Sequence, residues 1–178
     1  KRFSEWIPAL PGEIFDHKYV YEEIGYNLKP IELQGAMGLE QLKKLDKIHE
    51  LRRRNFKLLY NIYEKYEEFF YLPKATEKSD PSWFAFPITI KEGAPFKRND
   101  IVDFLEENKI QTRTYFGGNI MLQPGYDHIM PPDMAKNEYP VATHVMLNTY
   151  FHGTSPVITE EQMKYIGNQV DGFMSLFV

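Results

Sequence analysis

Apolar positions along the chain change their period several times, and each change marks an element. From Pro30 the apolar residues Leu33, Met37, Leu42, Leu45, Ile48, Leu51, Leu58, Ile62 and Tyr66 recur mostly three or four apart. Lys43, Lys44, Lys47, Glu50, Arg53 and Lys57 hold the opposite side. That spacing predicts one long amphipathic helix, or two with a bend, from about Pro30 to Phe69. Pro30 suits the first helical position, where a missing N–H costs nothing, and this makes Lys29 the cap residue. Gly35, Ala36 and Gly38 predict close packing of this end against another element. A helix of this length braces a larger body or a partner subunit, since globular helices usually run roughly 8–20 residues.

Beyond residue 73 the pattern shortens. Trp83 to Ile90 reads as a strand with Phe84, Phe86, Ile88 and Ile90 on one face, and Pro87 argues for an edge strand or a bulge. Asn99 to Asn108 reads as a short helix with Ile101, Val102, Phe104 and Leu105 inward, closed by Asn108 in the left-handed conformation. Ile110 to Tyr115 is a second strand, broken by Gly117-Gly118-Asn119, and a short helix around Met121 or a loop follows. Val141 to Tyr150 mixes a helical turn with a third short strand. Thr159-Glu160-Glu161-Gln162 has the capping-box pattern and opens a last helix to about Phe177. The first thirty residues read as irregular, with a short strand at Lys18–Tyr21. The order predicts an α+β fold: a long helix, then a small, mainly antiparallel three-stranded sheet covered by helices. The segments are 1–29 irregular, 30–70 helix and 71–178 a small domain.

Composition narrows the function. With 43% hydrophobic and 26% charged residues in 178, the chain is no disordered tail. A net charge of -4 gives no electrostatic footprint for nucleic acid. No run approaches the roughly 20 apolar residues of a membrane helix, and the first residues lack the apolar core of a signal peptide. A cytoplasmic protein without nucleic-acid or membrane partners is expected. The chain has no cysteine, so disulfides, thiolate metal sites and cysteine nucleophiles are excluded within it. His17, His49, His128, His144 and His152 show no metal-ligand spacing, and no metal site is expected. His49 reads as a solvated residue of the long helix, whereas His144 and His152 are candidates to line a pocket. There is no glycine-rich phosphate loop and no nucleophile elbow. Arg52-Arg53-Arg54 suggests an anion patch, but consecutive helical residues point about 100° apart, so it reads as a solvated face.

Two segments hold more. Ile24 to Lys29 precedes the proline-started helix, which leaves Asn27 and Lys29 free to hold an anion; a turn-forming asparagine is the competing reading. Thr112 to Asn119 ends a strand in aromatics and two glycines, the type of place where backbone approaches a planar ligand; an ordinary strand-to-turn transition is the competing reading there.

Together these segments resemble a known family. Gly25-Tyr26-Asn27-Leu28-Lys29, followed by Glu32-Leu33-Gln34-Gly35-Ala36-Met37-Gly38-Leu39-Glu40-Gln41-Leu42, is similar to the DegT/DnrJ/StrS sugar aminotransferases, as are Ile110-Gln111-Thr112-Arg113 and Gln123-Pro124. Asp16-His17-Lys18-Tyr19, Asp80-Pro81-Ser82-Trp83-Phe84 and Phe116-Gly117-Gly118-Asn119 carry a narrower likeness, to the nucleotide-sugar 3-dehydrases that act on a CDP-4-keto-6-deoxyhexose in lipopolysaccharide biosynthesis. The resemblance spans almost the whole chain. It implies the C-terminal small domain of an aspartate-aminotransferase-like fold, about half of a homodimeric enzyme that uses pyridoxal or pyridoxamine phosphate. No catalytic residue is then expected within the chain. That position, lysine in the aminotransferases and histidine in the dehydrases, would lie upstream of Lys1. The chain alone would be inactive.

The resemblance also assigns roles. Asn27, Lys29 and Phe116 would bind the cofactor, Asn27 across the dimer. Tyr26, Arg113, Tyr115, Asn119 and His144 would bind the nucleotide-linked keto-deoxysugar. Lys1-Arg2-Phe3 looks like the tail of a motif that in one dehydrase subgroup follows the ligands of a [2Fe-2S] cluster, which would implicate an electron-transfer reductase as partner. Lys29 replaces the arginine of most aminotransferases, and Tyr115-Phe116-Gly117-Gly118 replaces their His-Tyr-x-Pro; both differences favour the dehydrase. His144 and Gly153-Thr154-Ser155-Pro156 depart from the dehydrase pattern too. An aminotransferase of the same family and a non-catalytic subunit-contact module are the alternatives.

Overall fold

The computed structural model describes residues 3–5, 11–12, 15–16, 20, 26, 28–126 and 128–178. The chain divides into two compact units, Lys1–Lys43 and Lys44–Val178. In the first, β1 (Phe3–Ser4) pairs antiparallel with β2 (Phe15–Asp16), and the Gly12 N–H donates to the Glu5 carboxylate at 2.9 Å. Most of the strand expected at Lys18–Tyr21 lies outside the described residues. Helix α1 (Glu32–Leu42) starts later than Pro30 predicts, because Ile31, in extended backbone, is the cap. The Gln34 side chain turns back to accept the Ile31 N–H at 2.9 Å, which satisfies one otherwise orphaned donor. The close packing expected at this end is not made within its unit. No residue of α1 is buried, Leu33, Met37, Leu39 and Leu42 are each more than 60% exposed, and a β-carbon on Gly35 or Gly38 would meet nothing within 4 Å.

Lys43 and Lys44 form a turn, so the long apolar pattern resolves into two helices. In the second unit α2 (Leu45–Glu64) buries Asn55, Leu59 and Tyr63, positions that share one helical face. A run of turns closed by Tyr66 N–H to Tyr63 O and Phe69 N–H to Tyr66 O leads into β3 (Phe70–Tyr71). There follow β4 (Ala85–Ile90), α3 (Arg98–Glu107), β5 (Arg113–Thr114), α4 (Pro132–Glu138), α5 (Pro140–Asn148), β6 (Thr149–Gly153) and α6 (Glu160–Met174). The sheet order is β3-β4-β6-β5 and every pairing is antiparallel. The sheet thus has four strands where the sequence pattern predicts three. The additional one, β3, is two residues long and too short to show a period.

β4 carries the expected alternation, with Phe86, Ile88 and Ile90 buried and Phe84, outside the strand, exposed. Pro87 does not mark an edge strand, since β4 lies between β3 and β6. The Lys91 N–H donates to Phe69 O, so odd-numbered positions of β4 direct their N–H groups toward β3. β3 pairs only with Thr89 and Ile90. Pro87 therefore lacks its N–H where no neighbouring strand asks for one, which is the physical content of the edge rule. Asn108 is not left-handed (φ -85°); Lys109, with φ 62°, makes that turn instead. The last helix is capped as predicted: Thr159 Oγ1 accepts the Gln162 N–H at 3.2 Å and Gln162 Oε1 accepts the Thr159 N–H at 2.9 Å.

The core lies between the sheet and the helices α2, α3 and α6. Leu59, Phe86, Ile88, Leu105 and Val170 are fully buried in it. Inside it sits a polar chain. Tyr150 OH donates to Tyr63 OH at 3.2 Å, and Tyr63 OH lies 2.6 Å from His152 Nε2. Tyr63 OH therefore stands between the Tyr150 hydroxyl and the imidazole, whose Nδ1 is buried without a hydrogen-bond partner. Burial pushes the His152 pKa down to about 4, against a smaller opposing pull from the Glu106 carboxylate, and pushes both tyrosines up. A second buried polar group, Asn55, donates to Ser155 O at 2.7 Å and accepts from Arg54 Nη2 at 2.9 Å, tying α2 to the loop after β6.

Two outcomes are expected. An unfolded imidazole takes its proton near pH 6.5 and the folded His152 only near pH 4. Its contribution is therefore full above pH 6.5 and is lost as pH falls toward 4, by about 3 kcal/mol. Urea titrations across that range should show a steep acid limb that His152→Gln flattens; an unchanged limb would contradict the buried neutral imidazole. Asn55→Leu keeps the branched shape but strands the Ser155 carbonyl, and should cost about 2 kcal/mol in the same assay.

Candidate functional site

On β6 the side chains alternate. Tyr150 and His152 enter the core, while Phe151 stands on the opposite face. The register places Pro87 and Arg113 on either side of Phe151, so these three form a row across that face. Here a cleft of about 700 Å³ opens. Its aromatic wall is Phe84, Phe116 and Phe151, with ring centres 6.2 Å apart for Phe84–Phe151 and 5.7 Å for Phe116–Phe151. Arg113, Arg52, Gln111 and Ser155 supply polar groups, and no acidic residue lines it.

Local structure sets each part. Glu106, at the end of α3, accepts the Thr112 N–H and, at 2.7 Å, the Thr112 hydroxyl, which fixes the lead into β5. Thr154 donates its hydroxyl to Trp83 O at 2.6 Å and its N–H to Phe84 O, so the cleft's far wall is tied to the end of β6. Phe116 has φ 49°, a conformation that costs a bulky residue energy, yet it remains 70% exposed. Gly118 follows with φ 62°, and a β-carbon there would collide with Met146. Gln123 Nε2 donates to Gly117 O at 2.8 Å and braces the turn from outside.

The residues singled out in the sequence are dispersed among these roles. Arg113 and Phe116 meet at the cleft. Tyr115 is partly exposed and packs its ring 5.5 Å from that of Phe116. Asn119 is buried, and its amide is spent on Ala135 O, Thr143 Oγ1 and the Met121 N–H, so it holds the segment together and does not line the cleft. His144 lies on α5, with Nδ1 3.2 Å from Asn148 Nδ2 and 3.8 Å from Glu92 Oε1, and does not line it either. His152 belongs to the core. His49 is half-buried with an unpartnered Nδ1, not a solvated residue. In the first unit Tyr26 and Lys29 are exposed, and Asn27 lies outside the described residues. Among the described residues no cluster of acids or histidines could hold a metal ion, and no helix is long and apolar enough to cross a membrane.

Arg52 is the residue that sequence reasoning missed. The triplet does diverge: Arg53 pairs with Asp80 at 2.9 Å, and Arg54 caps Ile158 O at 2.9 Å. Only Arg53 fits the expected solvated face. Arg52 turns into the cleft. The available signal was helical phase, because Tyr63, Leu59 and Phe56 continue one turn back to position 52.

The same arrangement of helices on a small antiparallel sheet recurs in solved structures. A 3-dehydratase for GDP-4-keto-6-deoxy-D-mannose from E. coli, solved with bound hydrated PLP, superposes with a TM-score of 0.69 at 23% identity, over 86% of this chain and 38% of that one. The S. venezuelae protein DesV, solved with a ketimine intermediate, gives 0.74 at 21% identity, over 88% and 40%. In sequence, residues 12–171 match the DegT/DnrJ/EryC1/StrS aminotransferase family, and the chain belongs to it. The lipopolysaccharide biosynthesis protein RfbH of Salmonella typhimurium is 40% identical over 99% of this chain and 40% of its own length. A dTDP-4-dehydro-2,6-dideoxy-D-glucose 3-dehydratase of Saccharopolyspora spinosa is 37% identical over 98% and 37%. The chain thus spans about 40% of the curated relatives' length.

The turn that carries Phe116 should be sensitive to one methyl group. Gly118→Ala should lower the midpoint of thermal unfolding by several degrees, since it adds both a clash with Met146 and an unfavourable φ. Gly93→Ala, which shares a positive φ but meets nothing within 4 Å, should cost less.

Proposed function

We propose that the chain is part of a pyridoxamine-phosphate-dependent nucleotide-sugar 3-dehydrase, which removes the C3 hydroxyl of a 4-keto-6-deoxyhexose carried on a nucleoside diphosphate. The observation that carries this reading is the cleft: an aromatic wall beside two guanidinium groups and no carboxylate, in a chain 40% identical to a lipopolysaccharide biosynthesis protein and 37% identical to a nucleotide-sugar 3-dehydratase over nearly its whole length. A planar ring bearing phosphate is complementary to that lining, and so is the diphosphate of a sugar nucleotide. When bound, the cofactor supplies the electron sink for loss of the hydroxyl. The chain's own residues bind and orient. Phe116 offers an exposed ring face near the cofactor, Arg113 and Tyr115 border the sugar, and Asn27 and Lys29 serve the phosphate. Asn119 acts by holding the turn after Phe116 to α4 and α5. The protein acts in the cytoplasm as a homodimer, with an electron-transfer reductase as partner if a [2Fe-2S] cluster is present.

An aminotransferase of the same family is the second reading, supported by the 25% identity to a GDP-perosamine synthase of Vibrio cholerae over 92% of the chain. Incubating the full-length protein with a nucleotide-linked 4-keto-6-deoxyhexose separates the two. Mass spectrometry of the sugar should show loss of the C3 oxygen. Glutamate-dependent gain of an amino group at C4 would replace the dehydrase with the aminotransferase. Phe116→Ala should leave stability nearly unchanged, because the ring is exposed, and should lower the turnover of either reaction at least tenfold.

A further inference from the structure

Among three consecutive arginines, two have their hydrogen bonds met by protein. Arg53 reaches Asp80 and the Pro81 carbonyl, and Arg54 reaches Asn55, the Ile158 carbonyl and, at 3.7 Å, Glu160. Arg52 differs. Its Nε is buried and has no hydrogen-bond partner, and among the described residues no carboxylate pairs with the guanidinium. A guanidinium stays charged throughout the accessible pH range, so it cannot escape burial by losing a proton. Leaving such a donor unmet is costly, and a group held this way calls for an acceptor from elsewhere.

The place where Arg52 is held indicates which acceptor. It lines the same cleft as Arg113, which likewise has no ion-pair partner among the described residues. Two positive charges with no negative one in the lining make a site for a polyanion. Their supports differ: Arg52 stands on α2, next to the turn that Asn55 anchors to Ser155, and Arg113 stands on β5. The aromatic wall lies in the same cleft.

We propose that Arg52 and Arg113 form a two-guanidinium clamp for the diphosphate of a nucleotide-linked substrate, with Arg52 the residue that distinguishes a diphosphate ligand from an uncharged one. This rests on the function proposed above. Planar guanidinium forks match phosphoryl oxygens two at a time, and a diphosphate presents enough oxygens for both. A phosphoryl group could also come from the cofactor, and the two sources separate experimentally.

The test is calorimetric titration of the full-length protein with CDP, GDP and dTDP, with the matching nucleosides, and with pyridoxal phosphate. Arg52→Gln should weaken the best nucleoside diphosphate roughly 10- to 100-fold, leave the nucleoside unchanged and leave pyridoxal phosphate unchanged. Arg52→Lys should fall between wild type and Arg52→Gln, because it keeps the charge and loses the fork. Circular dichroism of each variant establishes that it is folded, and Arg113→Gln provides a second variant with the same expected pattern. Unchanged diphosphate affinity in Arg52→Gln, a loss confined to pyridoxal phosphate, or an equal loss for the nucleoside would each overturn the clamp while leaving the dehydrase reading standing. A wild-type protein that binds none of the three diphosphates would overturn both.

Discussion

The bond between Tyr63 and His152 joins the central helix of the second unit to the strand on which the rest of the sheet is built. β6 pairs with β4 on one side and β5 on the other, so whatever fixes β6 fixes the sheet. A hydrophobic contact at this point would tolerate slippage along the helix. A buried hydroxyl–imidazole pair does not, because a shift of one residue would leave both partners without a bond in a medium that offers no water. The same constraint decides what the other face presents. With His152 and Tyr150 committed inward, Phe151 must point outward, and Arg113 with it.

The long helical pattern, the capping box at Thr159 and the alternation of β4 are visible in the sequence because each is regular over several turns or pairs. β3 is two residues long and shows no period, and β5 keeps only Arg113–Thr114 of the strand expected at Ile110–Tyr115, because pairing with β6 far along the chain sets its extent. Arg113 and Phe116 could be singled out because a family motif and a glycine-rich turn mark them. Asn119 looked like a ligand-binding residue for the same reason, yet a short amide next to a tight turn is equally suited to capping it, and here it does. Arg52 was hidden by its two neighbours. Three identical charges in a row look like one feature, and only the helical phase separates the one that leaves the surface.

The two units differ in how much of their apolar surface they satisfy. The second closes a core of Tyr63, Phe70, Phe86 and Phe173 with residues from every layer. The first leaves Leu33, Met37 and Leu42 uncovered on a helix that caps itself through Gln34. Such a helix draws little stability from its own unit. Leu33, Met37 and Leu42 thus leave an apolar stripe on α1 that its own unit does not cover.

Phe116 carries a consequence for how such a cleft can change over generations. Its backbone sits where glycine or asparagine would rest without penalty, so selection for stability alone would remove the ring. Phenylalanine there stores about 1 kcal/mol in the backbone, and the turn holds its exposed ring beside Phe151. Mutational drift at this position therefore has a preferred direction, toward a more robust protein with a blunter wall.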